Sequence, residues 1–521
     1  MDLNSSFVEF NLFSFPFFLL LPFLLLPLSI HLLLRIKSSP SQVKAPNLPP
    51  GPRRWPVIGN IPLFIWKNPH IIVSNLARIH GPLMSLRLGT QVVILGSLPD
   101  AAKEILKTHD RDLSGRCAPK ATPITESDLK KFSLLWATDC SPKWKSIRVL
   151  WKGELFSNKA LEAQACLREK KVAEMVEYLG RKEGEVVTIG EVVFAAVYNT
   201  LGNLCFSRDL IGLGDEKMAR DWKEVFWRFM ECATTPLIAD FFPGLDGLGL
   251  DFQGKKKQAA KCMKKMFGVW QELIRQRRES DGSKKHGDFL DFMLENEFLD
   301  IQILFMLLEI LPAGAGTLIA TTEWAMAELI KNKEAMIKLQ EELQTHKIVD
   351  SNSIRESDIS RLPYLNACVK ETLRLHPPIA FLPHSAQSTC EVMNYTVPEN
   401  SLVFVNLWAI GHDPTVWEDP FSFRPERFLN SNLDYKGQDF EFLPFGAGRR
   451  MCPGLPFASK KVHLILAALV GCFDWSLPDN RDPSDLDMNE KYAVPLQKEK
   501  PLLLIPHQNS KTKTSPPPRT N

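Results

Sequence analysis

A ten-residue stretch near the C-terminus carries the side chain with the clearest capacity for chemistry. Residues 445–454 read FGAGRRMCPG, and their one cysteine is Cys452. Apolar residues recur at helical spacing over 455–469, so a helix is predicted to begin just after Cys452. A helix N-terminus favours an anion, and we expect it to lower the thiol pKa towards the thiolate, the form that binds metals. Gly446 and Gly448 can take positive φ angles and turn backbone donors towards the sulfur. The alternative is a small buried cysteine that packs like a hydrophobe.

The same stretch fits the pattern F-x-x-G-x-R-x-C-x-G, and in this it resembles the haem-binding loop of the cytochrome P450 family. The resemblance implies that the chain holds haem b, with Cys452 as the axial thiolate ligand of the iron. It also implies that Phe445 and Gly454 lie beside the haem and that Arg450 pairs with a haem propionate. A thiolate ligand supplies electron density that favours cleavage of an O–O bond.

Three residues outside the loop are further candidates for haem contact. Trp144 and Arg148 stand four residues apart, which puts the indole and the guanidinium on one face of a predicted helix. By itself this spacing indicates a packing pair. In the cytochrome P450 family the matching W-x-x-x-R motif reaches a propionate, so the resemblance implies that role here. His384 falls where the family often supplies another propionate partner, although a single histidine there is otherwise a structural strand residue.

A long, mostly apolar run predicts a buried helix from about Asp300 to Asn332. Pro312 removes one helical hydrogen bond, and the small residues that follow it (AGAGT, 313–317) would let a ligand approach the backbone. A close-packed kink between helices is the other interpretation. The segment resembles the A-G-x-D/E-T motif of cytochromes P450, in which Thr317 would match the hydroxyl that helps deliver protons to dioxygen.

Gly316 departs from that motif, because most members of the family carry an acid at this position. General acid catalysis needs a proton source within hydrogen-bond reach or one water away. Three explanations stay open. Water and Thr317 suffice, the substrate helps, or the chemistry tolerates slow protonation.

Glu371 and Arg374 form an E-x-x-R pair one helical turn apart. Such pairs are commonly exposed and worth only about 0.2 to 0.5 kcal/mol. The apolar residues around this pair argue for burial, and Arg424 is predicted to complete a Glu-Arg-Arg set that resembles the core of the cytochrome P450 family. A buried ion set has to be complete, because breaking one partner typically costs about 3 to 5 kcal/mol.

Length and composition indicate one large globular body. The chain has 521 residues, of which 45% are hydrophobic and 24% charged, and no long Gly-, Ser- or Pro-rich linker interrupts its interior. A formal charge of +3 without a basic repeat argues against nucleic acid as a main partner. The 10 cysteines are scattered without C-x-x-C pairs, which indicates reduced thiols in a body that faces the cytosol.

Four segments are predicted along the chain. Residues 1–37 are interpreted as an uncleaved transmembrane anchor, because 10–34 are apolar and uncharged over a length that spans a bilayer. A cleaved signal peptide is the alternative. Positive residues after this span put the body in the cytosol, and the resemblance implies a single-pass protein of the endoplasmic reticulum membrane. Residues 38–60 are a basic, proline-rich hinge, 61–506 the haem-thiolate domain and 507–521 a disordered tail.

The predicted fold class is mainly α with a small β region. Residues 83–95 read as two strands around a Gly-Thr turn, and helical patterns dominate from about Asp100 to His346. This pattern suits the cytochrome P450 fold that the resemblance implies, preceded by the N-terminal transmembrane helix.

The resemblance implies a monooxygenase that takes electrons from NADPH through a separate reductase and uses dioxygen to oxidise a small molecule. Several stretches, among them 379–390 and 405–411, are similar to plant enzymes of alkaloid metabolism. That group includes N-methylcoclaurine 3'-hydroxylase, berbamunine synthase, corytuberine synthase and littorine mutase. Its reactions are hydroxylation, phenol coupling and oxidative rearrangement such as littorine to hyoscyamine aldehyde.

Family position also implies two sets of contact residues. The substrate pocket would be lined by Ala313, Ile379, Phe381 and Val494. The reductase would contact a basic surface that includes Lys143, Lys145, Lys152 and Arg449. Each member would otherwise be an ordinary core or solvated residue.

Two functions of other classes stay open. A reductase-independent haem-thiolate isomerase or dehydratase would tolerate the loss of an acid at Gly316. A non-catalytic haem-binding or sensing protein would keep Cys452 and need no reductase. Thr317 and the anchor favour the monooxygenase over both.

Overall fold

The computed structural model describes residues 46–64, 68–212, 214–279, 285–346 and 354–509. The predicted anchor lies outside these ranges, and so do the start of the predicted hinge and most of the predicted tail.

The described part of the chain is mainly helical, as predicted. In chain order its α-helices are α1 (Pro69–His80), α2 (Pro99–Lys103), α3 (Glu126–Phe132), α4 (Pro142–Glu154), α5 (Asn158–Ala163), α6 (Ala165–Arg181), α7 (Ile189–Phe206), α8 (Glu216–Thr234), α9 (Ile238–Phe241), α10 (Lys255–Glu279), α11 (Phe289–Glu295), α12 (Asp300–Lys331), α13 (Lys333–Thr345), α14 (Glu356–Ile359), α15 (Pro363–Leu375), α16 (Leu407–Gly411) and α17 (Leu455–Cys472). Short 3-10 turns lie at Ile61–Phe64, Pro243–Leu248, Pro425–Phe428, Gly448–Arg450, Pro478–Asn480 and Pro483–Asp485, and a π-helical turn lies at Glu104–Thr108.

The strands form small sheets at the periphery of the helices. They are β1 (Leu83–Leu88), β2 (Gln91–Gly96), β3 (Val187–Thr188), β4 (Phe381–Ser385), β5 (Cys390–Val392), β6 (Tyr395–Val397), β7 (Leu402–Asn406), β8 (Phe473–Ser476), β9 (Glu490–Lys491), β10 (Gln497–Lys498) and β11 (Leu503–Gln508). The largest sheet has the order β1-β2-β7-β4, with β2 and β7 parallel and the other pairs antiparallel. Its β1–β2 hairpin, closed at Leu88 and Gln91, confirms the predicted pair of strands.

Helix α12 runs through the centre of the helical body. It continues through Pro312 without a break and packs against α7, α15 and α17. Most of its residues are buried, which is the arrangement that its nearly uniform apolar sequence requires. The predicted long buried helix is confirmed, to within one residue at its C-terminus.

Three helices of the described ranges, α7, α12 and α17, are long and apolar enough to cross a membrane. In each, most of the apolar window is buried inside the protein, from 67% in α17 to 89% in α7. Their composition therefore fits helices that surround one another in a core.

The folded body extends beyond both of its predicted ends, residues 61 and 506. Ser85 of β1 donates through its hydroxyl to the Pro49 carbonyl at 2.6 Å and through its N–H to the Pro50 carbonyl at 2.8 Å. Prolines cannot donate, but their carbonyls still accept, so this stretch of the predicted hinge belongs to the body. At the other end, His507 and Gln508 extend β11 along β8, so the body does not stop at residue 506.

The buried ion set is present, but one predicted member is wrong. Glu371 is fully buried and accepts from Nε and Nη2 of Arg374 at 2.7 and 2.8 Å. The second guanidinium is that of Arg427, whose Nε donates to Glu371 at 3.1 Å. Arg424 instead gives Glu371 its backbone N–H, at 2.8 Å, while its half-exposed side chain lies 3.6 Å from Glu418. Arg424 has extended backbone just before the 3-10 turn at Pro425–Phe428, so its side chain leaves in another direction from that of Arg427.

Candidate active site

The loop that carries Cys452 is closed by its own backbone. The N–H of Cys452 donates to the carbonyl of Phe445 at 2.9 Å. Gly446 and Gly448 have φ angles of +70° and +67°, the positive values that were predicted. At Gly448 the requirement is also steric, because a Cβ would lie 2.3 Å from the carbonyl oxygen of Leu106. Glycine at this position therefore allows the loop to lie against the π-helical turn.

Cys452 precedes the N-terminus of α17, as predicted. The backbone N–H groups of Gly454 and Leu455 donate towards its sulfur. Burial nevertheless outweighs these donors and raises the pKa of the Cys452 thiol, so the expectation of a lowered thiol pKa is wrong for the polypeptide alone. A metal cation would reverse this balance, because a coordinating thiol is deprotonated outright.

Cys452 is accessible although protein surrounds it, because it lines a cavity of about 2880 Å³ that opens to the solvent. A cavity of this size exceeds the 300 to 1,000 Å³ or so of an ordinary small-molecule site. It has room for a large cofactor together with a second ligand. Most of the predicted site residues line it: Trp144, Arg148, Ala313, Thr317, Ile379, Phe381, Phe445, Arg450, Cys452, Gly454 and Val494.

Helix α4 brings a predicted cation, Arg148, and a predicted aromatic ring, Trp144, to the cysteine loop. Its first turn is fixed by Ser141, whose hydroxyl accepts from the N–H of Trp144 at 3.3 Å, and by proline at the next position. Arg148 donates from Nη2 to the carbonyl of Met451 at 2.7 Å, one residue before Cys452. The Trp144 indole N–H donates to the carbonyl of Leu134 at 2.9 Å.

Arg450 is buried in the wall of the cavity and is held by backbone carbonyls. Its guanidinium donates to Ser114 at 2.9 Å, to Leu134 at 3.2 Å and to Ala137 at 2.6 Å, and it stacks 4.8 Å from the Trp144 ring. These contacts fix the direction of the charge. They do not neutralise it, because carbonyls carry only partial charges.

Arg116 is a site residue that the sequence analysis missed. It is buried, it lines the cavity, and its Nε has no hydrogen-bond acceptor in the described structure. Burial and the neighbouring Arg450 lower the pKa of Arg116 to about 9. Its signal in the sequence was only an arginine in a Ser-Gly-Arg turn, which is common on protein surfaces.

The three cavity arginines, Arg116, Arg148 and Arg450, have no carboxylate within ion-pair distance among the described residues. Buried cations are stable only when an anion compensates them. A dianionic group such as haem, with its two propionates, would have the complementary charge. The donor set of this cavity therefore fits haem.

Glu309 is a second residue whose part was not predicted. It projects from α12 and accepts from the N–H groups of Leu134 and Leu135, at 2.8 and 3.0 Å, and from the hydroxyl of Ser133. The carbonyls of Leu134 and Leu135 in turn accept from Trp144, Arg450 and Arg116. Glu309 thus positions the loop that orients the cavity cations. The sequence signal was an isolated acid in an apolar helix.

His384 occupies β4, and its Nδ1 is bonded to the carbonyl of Leu113 at 2.8 Å. The cavity wall contains its neighbours Leu382 and Pro383. Burial, reinforced by Arg116, lowers the pKa of His384 to about 3, so the imidazole is neutral. Its predicted contact with a propionate stays a prediction.

Further cavity-lining residues come from α12 and from segments that follow α15. The hydroxyl of Thr317 donates to the carbonyl of Ala313, one turn earlier, at 3.0 Å. Its oxygen lone pairs stay available to accept from a ligand in the cavity. Ile379, Phe381 and Val494 add apolar surface to the cavity.

Comparison with known proteins agrees with this geometry. Residues 49–505 match the family described as Cytochrome P450. The chain belongs to the cytochrome P450 family. It is therefore a haem-thiolate oxidoreductase of the monooxygenase type, which uses a haem cofactor and NADPH-derived electrons supplied through a reductase. This membership favours the monooxygenase over the isomerase and the sensor.

Relatives of known name are similar to this cytochrome P450 over most of its length. It is 43% identical to (S)-N-methylcoclaurine 3'-hydroxylase isozyme 1 of Eschscholzia californica, an alignment that covers 88% of this chain and 94% of that enzyme. It is 45% identical to the probable isozyme 2 of Coptis japonica, over 88% and 93% of the two chains. Corytuberine synthase of Coptis japonica is 42% identical over 93% of this chain and 98% of its own.

Haem, when bound, supplies the redox chemistry that activates dioxygen. Cys452 would bind its iron, and Arg116, Arg148 and Arg450 would hold its propionates. The other residues of the cavity would bind and orient the substrate, exclude water and carry protons. The predicted part of Thr317 in carrying protons stays a prediction.

Proposed function

We propose that this cytochrome P450 oxidises a benzylisoquinoline or closely related plant alkaloid. The observation that carries the proposal is its identity of 43 to 45% with N-methylcoclaurine 3'-hydroxylases over nearly nine-tenths of the chain. The cavity supports it, because the apolar residues Ile379, Phe381 and Val494 line the same cavity as Cys452. Such a lining suits a multi-ring amine of low polarity.

Hydroxylation of an aromatic ring is the favoured reaction. Oxidative coupling of phenol rings is a second candidate, which the similarity to corytuberine synthase over 93% of this chain supports. Both reactions oxidise an electron-rich aromatic ring, so one pocket can serve either.

Thr317 is proposed as the proton-carrying side chain. Its hydroxyl lies on the cavity wall, and Gly316 beside it offers no carboxylate. Protons would then pass through Thr317 and ordered water or a group of the substrate, within hydrogen-bond reach of each other.

The electron donor is proposed to dock on a basic surface beside the cysteine loop. Lys143, Lys145 and Lys152 are exposed on α4, the helix that reaches Cys452 through Arg148. Arg449 is a weaker candidate, because it is paired with Asp110 at 2.9 Å. Residues 1–37 are proposed to anchor the protein in the endoplasmic reticulum membrane as a single span, with the body in the cytosol.

Spectral titration of the membrane-bound holoprotein tests the proposal. Benzylisoquinolines, with and without a free phenol, are compared with tropane alkaloids and with neutral aromatics of the same size. We expect a saturable spin-state shift with the benzylisoquinolines, and NADPH consumption that depends on both added reductase and that substrate. A spin-state shift with tropane alkaloids alone would show that the substrate belongs to another alkaloid class. No shift and no coupled NADPH consumption with any alkaloid would refute the proposed function.

A further inference from the structure

Helix α8 carries a half-buried tryptophan, Trp227, that makes no ring contact with the aromatic cluster of α7 and α8 in the described structure. Trp222 and Phe226, four residues apart on one face, pack with Phe194 and Tyr198 of α7. Trp227 follows about 100° further round the helix. Its side chain is only half-buried and lines the cavity that Cys452 faces.

The ring of Trp227 lies beside Gly316, in the space that a side chain at position 316 would enter. A Cβ built at Gly316 would lie 3.3 and 3.5 Å from two ring carbons of Trp227 and 3.4 Å from Cδ of Pro495. The closest of these contacts is tighter than most real Cβ contacts, before any further atom of a larger side chain is added. A carboxylic acid at position 316 would therefore compete with the indole at position 227 for the same space, and one of the two would have to shift. Gly316 and Trp227 form a steric pair.

The indole is also free to bind a ligand. Within the ranges that the structure describes, the N–H of Trp227 has no hydrogen-bond acceptor. Its ring packs beside the residue that precedes Thr317, and the apolar Pro495 lies next to it. A flat group placed against this ring would thus lie close to the proposed proton carrier.

We propose that Trp227 is a specificity-determining residue that contacts the substrate, and that Gly316 replaces the usual acid because it makes room for this indole. The inference rests on the proposed function for the class of substrate. The indole face would hold a protonated amine or an electron-rich aryl ring, and the N–H would donate to a phenol or ether oxygen. Tryptophan is the best of the aromatic side chains for a cation–π contact.

Substrate affinity in Trp227 variants tests the contact. Trp227→Ala is expected to weaken binding of the accepted alkaloid by roughly tenfold and Trp227→Phe by less, since phenylalanine keeps a ring but loses the N–H. Binding is measured by spectral titration and by calorimetry on holoprotein. Imidazole, which is too small to span the cavity, is expected to bind all variants equally. The matched control is Trp222→Phe, which changes a buried ring of the same helix and should leave alkaloid affinity within about twofold.

Thermal unfolding of the holoprotein tests the steric pair without any substrate. Gly316→Asp is expected to lower the midpoint temperature of unfolding, because the acid collides with the indole. Adding Trp227→Ala to Gly316→Asp should recover part of that loss, a non-additive result that is expected of two residues in contact.

Three results would overturn the inference. Unchanged alkaloid affinity in Trp227→Ala, with wild-type binding intact, would contradict this inference alone. Additive effects of the two substitutions on the midpoint would contradict the steric pair. Failure of the wild type to bind any alkaloid would refute the proposed function and the substrate contact together.

Discussion

Substitutions of Arg427 and Arg424 should have different effects on stability, although both residues lie near Glu371. Arg427→Ala removes a guanidinium from a fully buried carboxylate, and we expect it to lower the free energy of unfolding by about 3 to 5 kcal/mol and to yield little holoprotein. Arg424→Ala is the matched control, because its half-exposed side chain contributes only a long surface contact and its backbone N–H is kept. It should change stability by no more than about 0.5 kcal/mol.

Haem yield in the two variants, together with urea unfolding, measures this difference. Equal damage from both substitutions would mean that Arg424 is a true member of the ion set. Glu371→Ala should behave like Arg427→Ala, and a full haem spectrum from that variant would contradict the requirement for a complete set.

Arg116 is expected to hold haem although its sequence context did not predict it. Arg116→Met keeps much of the side-chain volume but removes a buried charge that lacks a carboxylate partner. We expect haem affinity to fall roughly tenfold, in line with the loss of one charged hydrogen bond. Transfer of haem to an excess of apomyoglobin measures it.

The control is Arg111→Met, which removes an exposed arginine of the same segment. It should lose haem no faster than the wild type. If Arg116→Met also kept its haem, the cavity cations would not be propionate partners as a group.

The motif residues were predictable because each motif is local. The cysteine loop, the W-x-x-x-R pair and the Ala-Gly-rich segment all reach one cavity, as their spacing and the family resemblance implied. Glu309 and Arg427 were missed or replaced because their partners Leu134 and Glu371 lie 175 and 56 positions away. Arg116 was missed because only the fold places it on the cavity wall. A sequence read without its fold does not contain that information.

At the scale of elements, Glu490 joins segments that are far apart in the chain. From β9 it bonds His70 of α1 at 3.0 Å, His376 at the end of α15 at 3.1 Å and Trp408 of α16 at 3.1 Å. His376 continues to Glu328 of α12 at 2.7 Å. The network ties the peripheral strands to the central helix.

The charges of this network make stability depend on pH. Burial alone would raise the pKa of Glu490, but the bonds from His376 and His70 outweigh it and the pKa falls from 4.5 to about 2. Burial opposes the charged form of His376, but its bonds to Glu328 and Glu490 outweigh that effect and raise its pKa. Ionised Glu490 therefore stabilises the fold above about pH 4.5, and this is lost as the pH falls towards 2. Protonated His376 also stabilises the fold, and its contribution to stability is lost as the pH rises through its raised pKa.

Glu490→Gln should lower the free energy of unfolding by about 1 to 3 kcal/mol near neutral pH, because it leaves buried partners incompletely satisfied. The difference from the wild type should shrink as the pH is lowered from 5 to 3. Urea unfolding at a series of pH values measures it, with Glu499→Gln, an exposed acid nearby, as control. A difference that stayed constant over this range would show that the charge of Glu490 is not what stabilises the network.

Most elements were predictable where one pattern dominated. Helix α12, the β1–β2 hairpin and the start of α17 follow from uniform apolarity, alternation and a glycine turn. The ends of the body were harder to place. The proline-rich sequence near residue 50 is typical of a spacer, but its carbonyls accept hydrogen bonds from β1. At the other end, the end of β11 is decided by its pairing with β8 and not by composition.

At the scale of the molecule, a cavity of about 2880 Å³ lies between Cys452, the three arginines and the apolar wall. Its charge asymmetry suits a ligand that is anionic at one edge and apolar across its faces. The membrane anchor and the reductase surface are proposals that extend this description to the assembled system. The catalytic part of the account depends on one predicted bond, between Cys452 and the iron of haem.

The most direct test of that bond is the carbon monoxide difference spectrum of the reduced holoprotein. We expect a thiolate-type band from the wild type, the same band from Cys472→Ser at the far end of α17, and its loss in Cys452→Ser. Circular dichroism of each variant confirms that it is folded. A thiolate-type band that persisted in Cys452→Ser, or was missing from folded wild-type protein supplied with haem, would contradict the assignment of Cys452 as the haem ligand.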